Sequence, residues 1–340
     1  MKHLIIIIGF VALLVHVCEA QSTREELGIQ GPVHQLEIRK VALSGKLRAW
    51  LGGPAVQAEL IRPIAKLTSL ASKPVMEGSL YRMETYTFSP EGKLLEKSTH
   101  RGDGEMKQQT IYHYDPALNC TFIENRDENV LFNYQERMEY DSDNRLLRRQ
   151  RYNADGELYL VINYSYRMPE QQKEEVHYQP DGKFLKKLLY TYTEQNRIRG
   201  ISQLNQNDEL QVRHEYVYDS HGNLVNELVY NQKDELSGEW ISQYDIQGNL
   251  LQQNMLTLAA KGMENGRKYE YDENGNPAKL VTFGKSGDLI DRKGFEYEYD
   301  AQGNWIKKIT YPLLESMKNH IREPVEAEYR SFEYFPENRS

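Results

Sequence analysis

Aspartate and histidine side chains are the residues of this sequence best suited to chemistry, and their spacing bears on whether they do any. An Asp comes just before a turn signal six times along the chain. A series of carboxylates could supply acid–base catalysis or bind a cation. Recurrence at the same point of successive units instead favours structure, because an Asp side chain accepts hydrogen bonds from turn amides two residues further on. We predict turn residues at Asp115, Asp141, Asp219, Asp245, Asp272 and Asp300.

Other catalytic patterns are missing from the sequence. It contains no HExxH, GxSxG, P-loop or paired CxxC motif. The nine His residues are scattered without metal-ligand spacing. Residues 272–276 (DENGN) resemble part of a calcium loop but lack its remaining ligands and closing Glu. We therefore predict no catalytic centre, no cofactor and no metal site.

Tyrosine forms the strongest pattern, with 24 residues against nine Phe and three Trp. The unit is Tyr-x-Tyr-Asp followed by a Gly/Asn turn, clearest in residues 216–224 (YVYDSHGNL), 269–276 (YEYDENGN) and 297–305 (YEYDAQGNW). The aromatic residue before the Asp recurs every 26 residues, and two further copies follow at 27 and 28. Such a fixed interval predicts a tandem repeat. The series is Phe88, Tyr114, Tyr140, Tyr166, Tyr192, Tyr218, Tyr244, Tyr271 and Tyr299.

The spacing of turns within each unit indicates two antiparallel strands. Turn signals alternate 12 and 14 residues apart, and Gly or Asn recurs where a hairpin turn needs positive φ. A single hairpin cannot bury an apolar face, so neighbouring units must pair. We predict an all-β fold, an open, curved antiparallel meander of about 17 or 18 strands, with a small helical insertion or cap near the N-terminus.

The two ends depart from the repeat and divide the chain into four parts. Residues 1–20 read as a signal peptide, and residues 21–78 as a leading strand (31–41) with a helical insertion over 44–74. Residues 79–311 carry the hairpin repeats. Residues 312–340 form a linker and a terminal strand at 326–335.

An apolar run between Leu4 and Val17, followed by small residues before Gln21, predicts export into the periplasm or outside the cell. One alternative is a lipoprotein acylated at Cys18, but Val17 stands where the lipoprotein signal requires a small residue. Another alternative is that the apolar segment is not cleaved and anchors the protein in the membrane. No later segment is apolar enough for a transmembrane helix. Cys120 is then the only cysteine of the mature chain, read as an apolar strand residue or as a reactive thiol. The net charge of −8 argues against a nucleic-acid partner.

These Tyr-Asp-x-x-Gly-Asn units resemble YD repeats, the units of the bacterial Rhs family and of teneurins. The layout is closest to small exported YD-repeat proteins of the Bacteroidetes type. Three points carry that resemblance: Gly31-Pro32-Val33, residues 299–308 (YDAQGNWIKK) and residues 328–335 (EYRSFEYF). The resemblance implies location and a β-hairpin fold. The cargo encapsulation of large Rhs shells is not implied, because this chain has too few strands.

The tyrosine ladder has two interpretations. It packs the sheet through cross-strand aromatic pairs, or it offers a face that binds an extended ligand such as an envelope glycan or another protein. We predict a non-enzymatic exported scaffold or binding protein; the alternative is an enzyme or immunity-like accessory with its site near residues 44–74. The candidate ligand face comprises Tyr166, Tyr192, Tyr218, Tyr244, Tyr271 and Tyr299.

Overall fold

The computed structural model describes residue 24 and residues 27–42, 81–167, 171–257, 262–313 and 325–336. These ranges hold twenty β-strands. The first ten are β1 Val33–Ala42, β2 Tyr81–Phe88, β3 Leu94–Arg101, β4 Met106–Tyr114, β5 Cys120–Asp127, β6 Tyr134–Tyr140, β7 Leu146–Asn153, β8 Leu158–Arg167, β9 Gln172–Tyr178 and β10 Phe184–Tyr192. The other ten are β11 Ile198–Leu204, β12 Leu210–Tyr218, β13 Leu224–Tyr230, β14 Leu236–Tyr244, β15 Leu250–Thr257, β16 Gly262–Tyr271, β17 Pro277–Phe283, β18 Leu289–Tyr299, β19 Trp305–Pro312 and β20 Glu326–Tyr334.

The sheet is closed, so the prediction of an open meander is wrong. Strands β2 to β20 pair each with the next, antiparallel throughout, as the hairpin repeat requires. Strand β1 then pairs with both β2 and β20, placing Leu36 opposite Tyr86 on one side and opposite Phe332 on the other. An exposed sheet edge leaves unpaired backbone N–H and C=O groups. Because β1 pairs with both edge strands, β2 and β20, it completes a twenty-stranded barrel.

The seam of this barrel is fixed by side chains from the two ends of the repeat region. Asn304, which is buried, accepts a hydrogen bond from the Gln30 backbone N–H at 2.6 Å and donates one to the Gln30 carbonyl at 3.0 Å. Its amide also donates to the Tyr334 hydroxyl, which in turn donates to Asp300 at 2.8 Å. The last repeat turn is thereby joined to both the leading and the terminal strand.

The predicted helical insertion over 44–74 lies outside the described residues. Within the ranges that are described there is no α-helix. Two single turns of 3₁₀-helix occur there, at Val130–Phe132 and Lys285–Gly287.

The repeat turns share one geometry. In the turn after β12, Asp219 N–H donates to the Asn223 carbonyl, and the Asp219 carboxylate accepts from the backbone N–H groups of His221 and Asn223, each at 2.9 Å. The residue three positions after the Asp has positive φ, as at Gly222 (92°). Equivalent Asp bonds occur at residues 115, 141, 245, 272 and 300. The structural role predicted for these aspartates is confirmed.

Replacing Gly248 by Ala should lower the free energy of unfolding by about 1 kcal/mol, because its φ of 86° is strained for a residue with a Cβ. An added Cβ meets only Asn223 Oδ1 at 3.4 Å, so backbone strain and not a clash sets the effect. Gly248→Asn is the control, since Asn144 and Asn196 also have positive φ (60° and 59°) at this turn position. Urea unfolding of the two variants measures the difference, and equal losses would contradict the argument.

Neither face of the sheet carries a packed apolar layer at β13 and β17, so the barrel is hollow there. Every residue of β13 and of β17 is half-buried, so water reaches both sides of the sheet there. A closed ring of this strand number is too wide for side chains to fill. Packed apolar clusters lie elsewhere. The larger one joins β1 to β6 around Leu36, Phe88 and Tyr112, and the smaller one contains Leu188, Tyr190 and Ile201.

Candidate functional site

One face of the sheet carries the repeat tyrosines and is called the tyrosine face. Tyr164 and Tyr166 of β8 lie two residues apart and so share this face. Tyr164 stands opposite Glu175 of β9, which stands opposite Leu188 of β10. Tyr190 and Tyr192 follow Leu188 at the same spacing. The other face carries mainly polar residues here, such as Asn163 and Glu174.

The ladder hydroxyls bind the backbone of the preceding repeat. Tyr218 donates to the Ile198 carbonyl at 2.8 Å, and Tyr244 donates to the Leu224 carbonyl at 2.9 Å. In each case the acceptor is the first residue of the strand that precedes the tyrosine's own. The same bond is made at Tyr114, Tyr140, Tyr166 and Tyr271. These tyrosines therefore tie successive hairpins together, a contact that the constant spacing of repeats could have suggested.

A groove of about 780 Å³ crosses the tyrosine face from β7 to β11. This volume falls in the range of small-molecule sites. Of the six tyrosines predicted as a ligand face, Tyr166 and Tyr192 line the groove. Tyr218, Tyr244 and Tyr271 are not among its lining residues and have hydroxyls bonded to backbone carbonyls. Tyr299 also lies elsewhere, where its hydroxyl donates to Asp272 at 2.9 Å.

Arginines at one side of the groove are held by a buried carboxylate. Glu136 of β6 is fully buried and forms ion pairs with both Arg149 and Arg151 of β7. The arginines line the groove, whereas Glu136 lies behind them. A carboxylate that binds two guanidinium groups fixes their positions, so the cationic wall is preorganised.

Glu175 and His177 form a second pair on β9, in the floor of the groove. His177 Nε2 lies 2.6 Å from Glu175 Oε1, and the Tyr190 hydroxyl donates to Glu175 Oε2 at 3.1 Å. Burial raises the pKa of Glu175. The bond with His177 and the charges of His177 and Lys173 outweigh that effect, so the pKa lies below its ordinary value. Glu175 is thus an ionised carboxylate engaged on both oxygens.

Lys173 of β9 is the more buried of the two lysines that line the groove. The residue is 7% exposed, and its Nζ lies 3.8 Å from the centre of the Tyr190 ring and 5.8 Å from that of Tyr164. Burial lowers its pKa, and the nearby charge of Glu175 partly offsets this. Among the described residues, no side chain forms an ion pair or hydrogen bond with the Lys173 ammonium. Cation–π contact stabilises the charge, but it does not provide an oxygen or nitrogen acceptor for the three N–H donors of the ammonium.

Sequence reasoning missed this groove because the repeat hides it. The turn aspartates recur along the array, whereas the carboxylates at the groove do not. The positions 26 residues before and after Glu136 hold Thr110 and Ile162 instead, and those flanking Glu175 hold Arg149 and Ile201. Comparing residues at equivalent points of successive units would have exposed these departures from the pattern.

Across the ranges described above, no group of three or more His, Cys, Asp or Glu side chains could hold a metal ion. No helix in the described part of the chain is long and apolar enough to span a membrane. Cys120 is buried, and its thiol donates to the Phe122 carbonyl at 3.7 Å.

Comparison with known proteins gives similarities of fold only at a distant level. No family model matches the chain, and no curated protein matches it. A porin-like protein from Bacteroides uniformis is 8% identical at a TM-score of 0.37, covering 89% of this chain and 99% of its own. A porin-like protein from Bacteroides vulgatus is 13% identical at a TM-score of 0.23, and the match covers 77% of this chain and 96% of its own. A chain of the Photorhabdus luminescens Tc holotoxin pore is 14% identical at a TM-score of 0.27, and the match covers 69% of this chain and 16% of its own. At these values the likeness defines neither a family nor a role.

Proposed function

We propose that this chain is an exported, non-enzymatic repeat scaffold of the YD-repeat type that binds its ligand in the groove on the tyrosine face. Its signal-like N-terminus supports export into the periplasm or outside the cell, and a lipid anchor at Cys18 is the less favoured route. The partner is an envelope glycan or another protein. The observation that carries the proposal is the groove itself, a concave site of about 780 Å³ whose polar lining departs from the repeat.

The engagement of the two carboxylates supports binding over catalysis. Catalytic acids and bases need a proton position free to exchange with substrate. Glu136 is fully buried between two arginines, and Glu175 is bonded to His177 and Tyr190. The depressed pKa of Glu175 also makes it a poor proton donor near neutral pH. These residues are placed to hold cations and rings in position.

Replacing Tyr192 by Ala should weaken binding about tenfold, a loss of ~1.4 kcal/mol, since the variant removes a ring from the groove wall. Tyr218→Ala is a matched control, because it removes the equivalent half-buried tyrosine one repeat later, outside the groove lining. Binding to an array of neutral and acidic oligosaccharides and peptides, followed by titration calorimetry on the positive probes, measures both variants.

Three results would contradict this proposal. Wild-type protein that binds no probe would remove its basis. Equal losses from Tyr192→Ala and Tyr218→Ala would place the ligand outside the groove. Recovery of a chemically altered probe after incubation would favour the enzyme alternative instead.

A further inference from the structure

The charge of the groove is opposite to that of the protein. Arg149, Arg151, Lys173 and Lys186 line it, and among the lining residues that the structure describes Glu175 is the one carboxylate. Counting Glu136 behind the arginines still leaves an excess of positive charge, whereas the whole chain has a net charge of −8. Partly enclosed cationic sites attract anionic ligands.

Lys173 is the cation best placed to contact such a ligand. Glu136 already neutralises much of the charge of Arg149 and Arg151. The Lys173 ammonium, by contrast, rests on aromatic rings with no hydrogen-bond acceptor among the described residues. An anion in the groove would accept a charge-assisted hydrogen bond from this ammonium in place of water.

The surroundings of Lys173 indicate what carries the anion. Tyr164, Tyr166, Tyr190 and Tyr192 flank it on neighbouring strands, and Gln203 adds an amide at the edge of the groove. Aromatic rings next to hydrogen-bonding groups suit a ligand with one apolar ring face and several hydroxyl groups. Sugar rings have that character.

We propose that the groove binds an acidic saccharide, with the Lys173 ammonium contacting its carboxylate or sulfate group. This rests on the proposed function and names its ligand class. The sugar ring lies against Tyr166 and Tyr192, the two half-buried tyrosines of the groove, while the arginines contribute long-range attraction. Binding should therefore weaken as salt concentration rises.

Oligogalacturonate and its methyl ester test the proposal in the wild-type protein, because esterification removes the charge and leaves the sugar rings intact. We expect the acid to bind at least tenfold more tightly than the ester by titration calorimetry. A sulfated oligosaccharide identifies the preferred anion, and inorganic sulfate tests whether the sugar contributes. Equal binding of acid and ester, together with no preference for the sulfated sugar over a neutral one, would overturn the proposal. Inorganic sulfate binding as tightly as the sulfated sugar would also overturn it.

Lys173→Met provides the matching test in the protein, since a Met side chain packs well between aromatic rings. We expect it to remove most of the preference for the charged sugar, and Lys173→Arg to retain it. Lys97→Met is the control, because Lys97 lies over the Tyr86 ring at 5.5 Å outside the groove lining. A Lys173→Met protein that keeps the full preference would contradict the assignment. If that variant fails to fold, the comparison of acid with ester still decides.

Failure of this proposal can be told apart from failure of the proposed function. A neutral sugar or a peptide that binds the wild type, and is lost in Tyr192→Ala, would leave the groove as the binding site and exclude the acidic ligand. Absence of binding to any probe would count against both.

Discussion

Ending the chain at residue 312 should open the barrel and cause self-association. Strand β20 pairs with β19 on one side and β1 on the other, so its loss leaves two strands with unpaired backbone groups. Re-closing the ring would bring β1 against β19. These two strands are parallel, because each is antiparallel to β20, so nineteen strands cannot form a closed, wholly antiparallel ring. Exposed edges of this kind pair with other chains.

Light scattering coupled to size-exclusion chromatography, with thermal unfolding, measures the effect of this truncation. We expect oligomers or aggregates and a lowered unfolding midpoint. A chain ending at Pro336 is the control, since it keeps β20 and the Phe335 N–H bond to the Pro32 carbonyl. An unchanged oligomeric state and midpoint in the shorter chain would show that β20 is not needed for closure.

The local parts of the fold could be predicted from the sequence because each is encoded within one repeat. Positive φ at Gly222 and Gly248, the Asp-capped turns and the alternation of strands all depend on residues a few positions apart. The predicted 17 or 18 strands agree with the eighteen of the meander from β2 to β19. Local chemistry repeated many times gives a strong signal.

Closure could not be predicted in the same way because it depends on contacts between distant residues. Gln30 and Asn304 are separated by 274 positions, and nothing in either segment alone indicates the other. The signals were nevertheless present. Gly31, Asn304 and Tyr334 lie in the three segments that carry the resemblance to small exported YD-repeat proteins, and they meet at the seam. The two ends that depart from the repeat thus pair beside its last unit.

The groove follows the same logic on a smaller scale. The ladder tyrosines are uniform because every repeat needs the same bond to its neighbour. A ligand site needs particular groups at one place, so it appears where equivalent positions differ, as at Glu136, Lys173 and Glu175. Residues that recur at the repeat interval therefore identify the scaffold, but they do not identify the ligand site.

Replacing Glu136 by Ala should be among the most destabilising single substitutions in the chain, at about 3–5 kcal/mol. Glu136 is fully buried on the tyrosine face, opposite Arg151, and its carboxylate pairs with both Arg149 and Arg151. Its removal leaves two guanidinium groups that repel each other without their shared carboxylate, and it creates a cavity. Glu139→Ala is the control on the same strand, where the exposed side chain should contribute within about 0.5 kcal/mol.

A compensated variant separates charge from packing at this position. Replacing Glu136 by Leu together with Arg149→Met and Arg151→Met removes the three charges while keeping much of the volume. Apolar replacements of buried ion pairs are often neutral or stabilising, so this variant should recover most of the loss seen in Glu136→Ala. The urea unfolding midpoints of the wild type, Glu136→Ala and the triple variant measure this recovery. If Glu136→Ala and Glu139→Ala prove equally mild, the arginines do not depend on Glu136, and the cationic wall of the groove is held by other contacts.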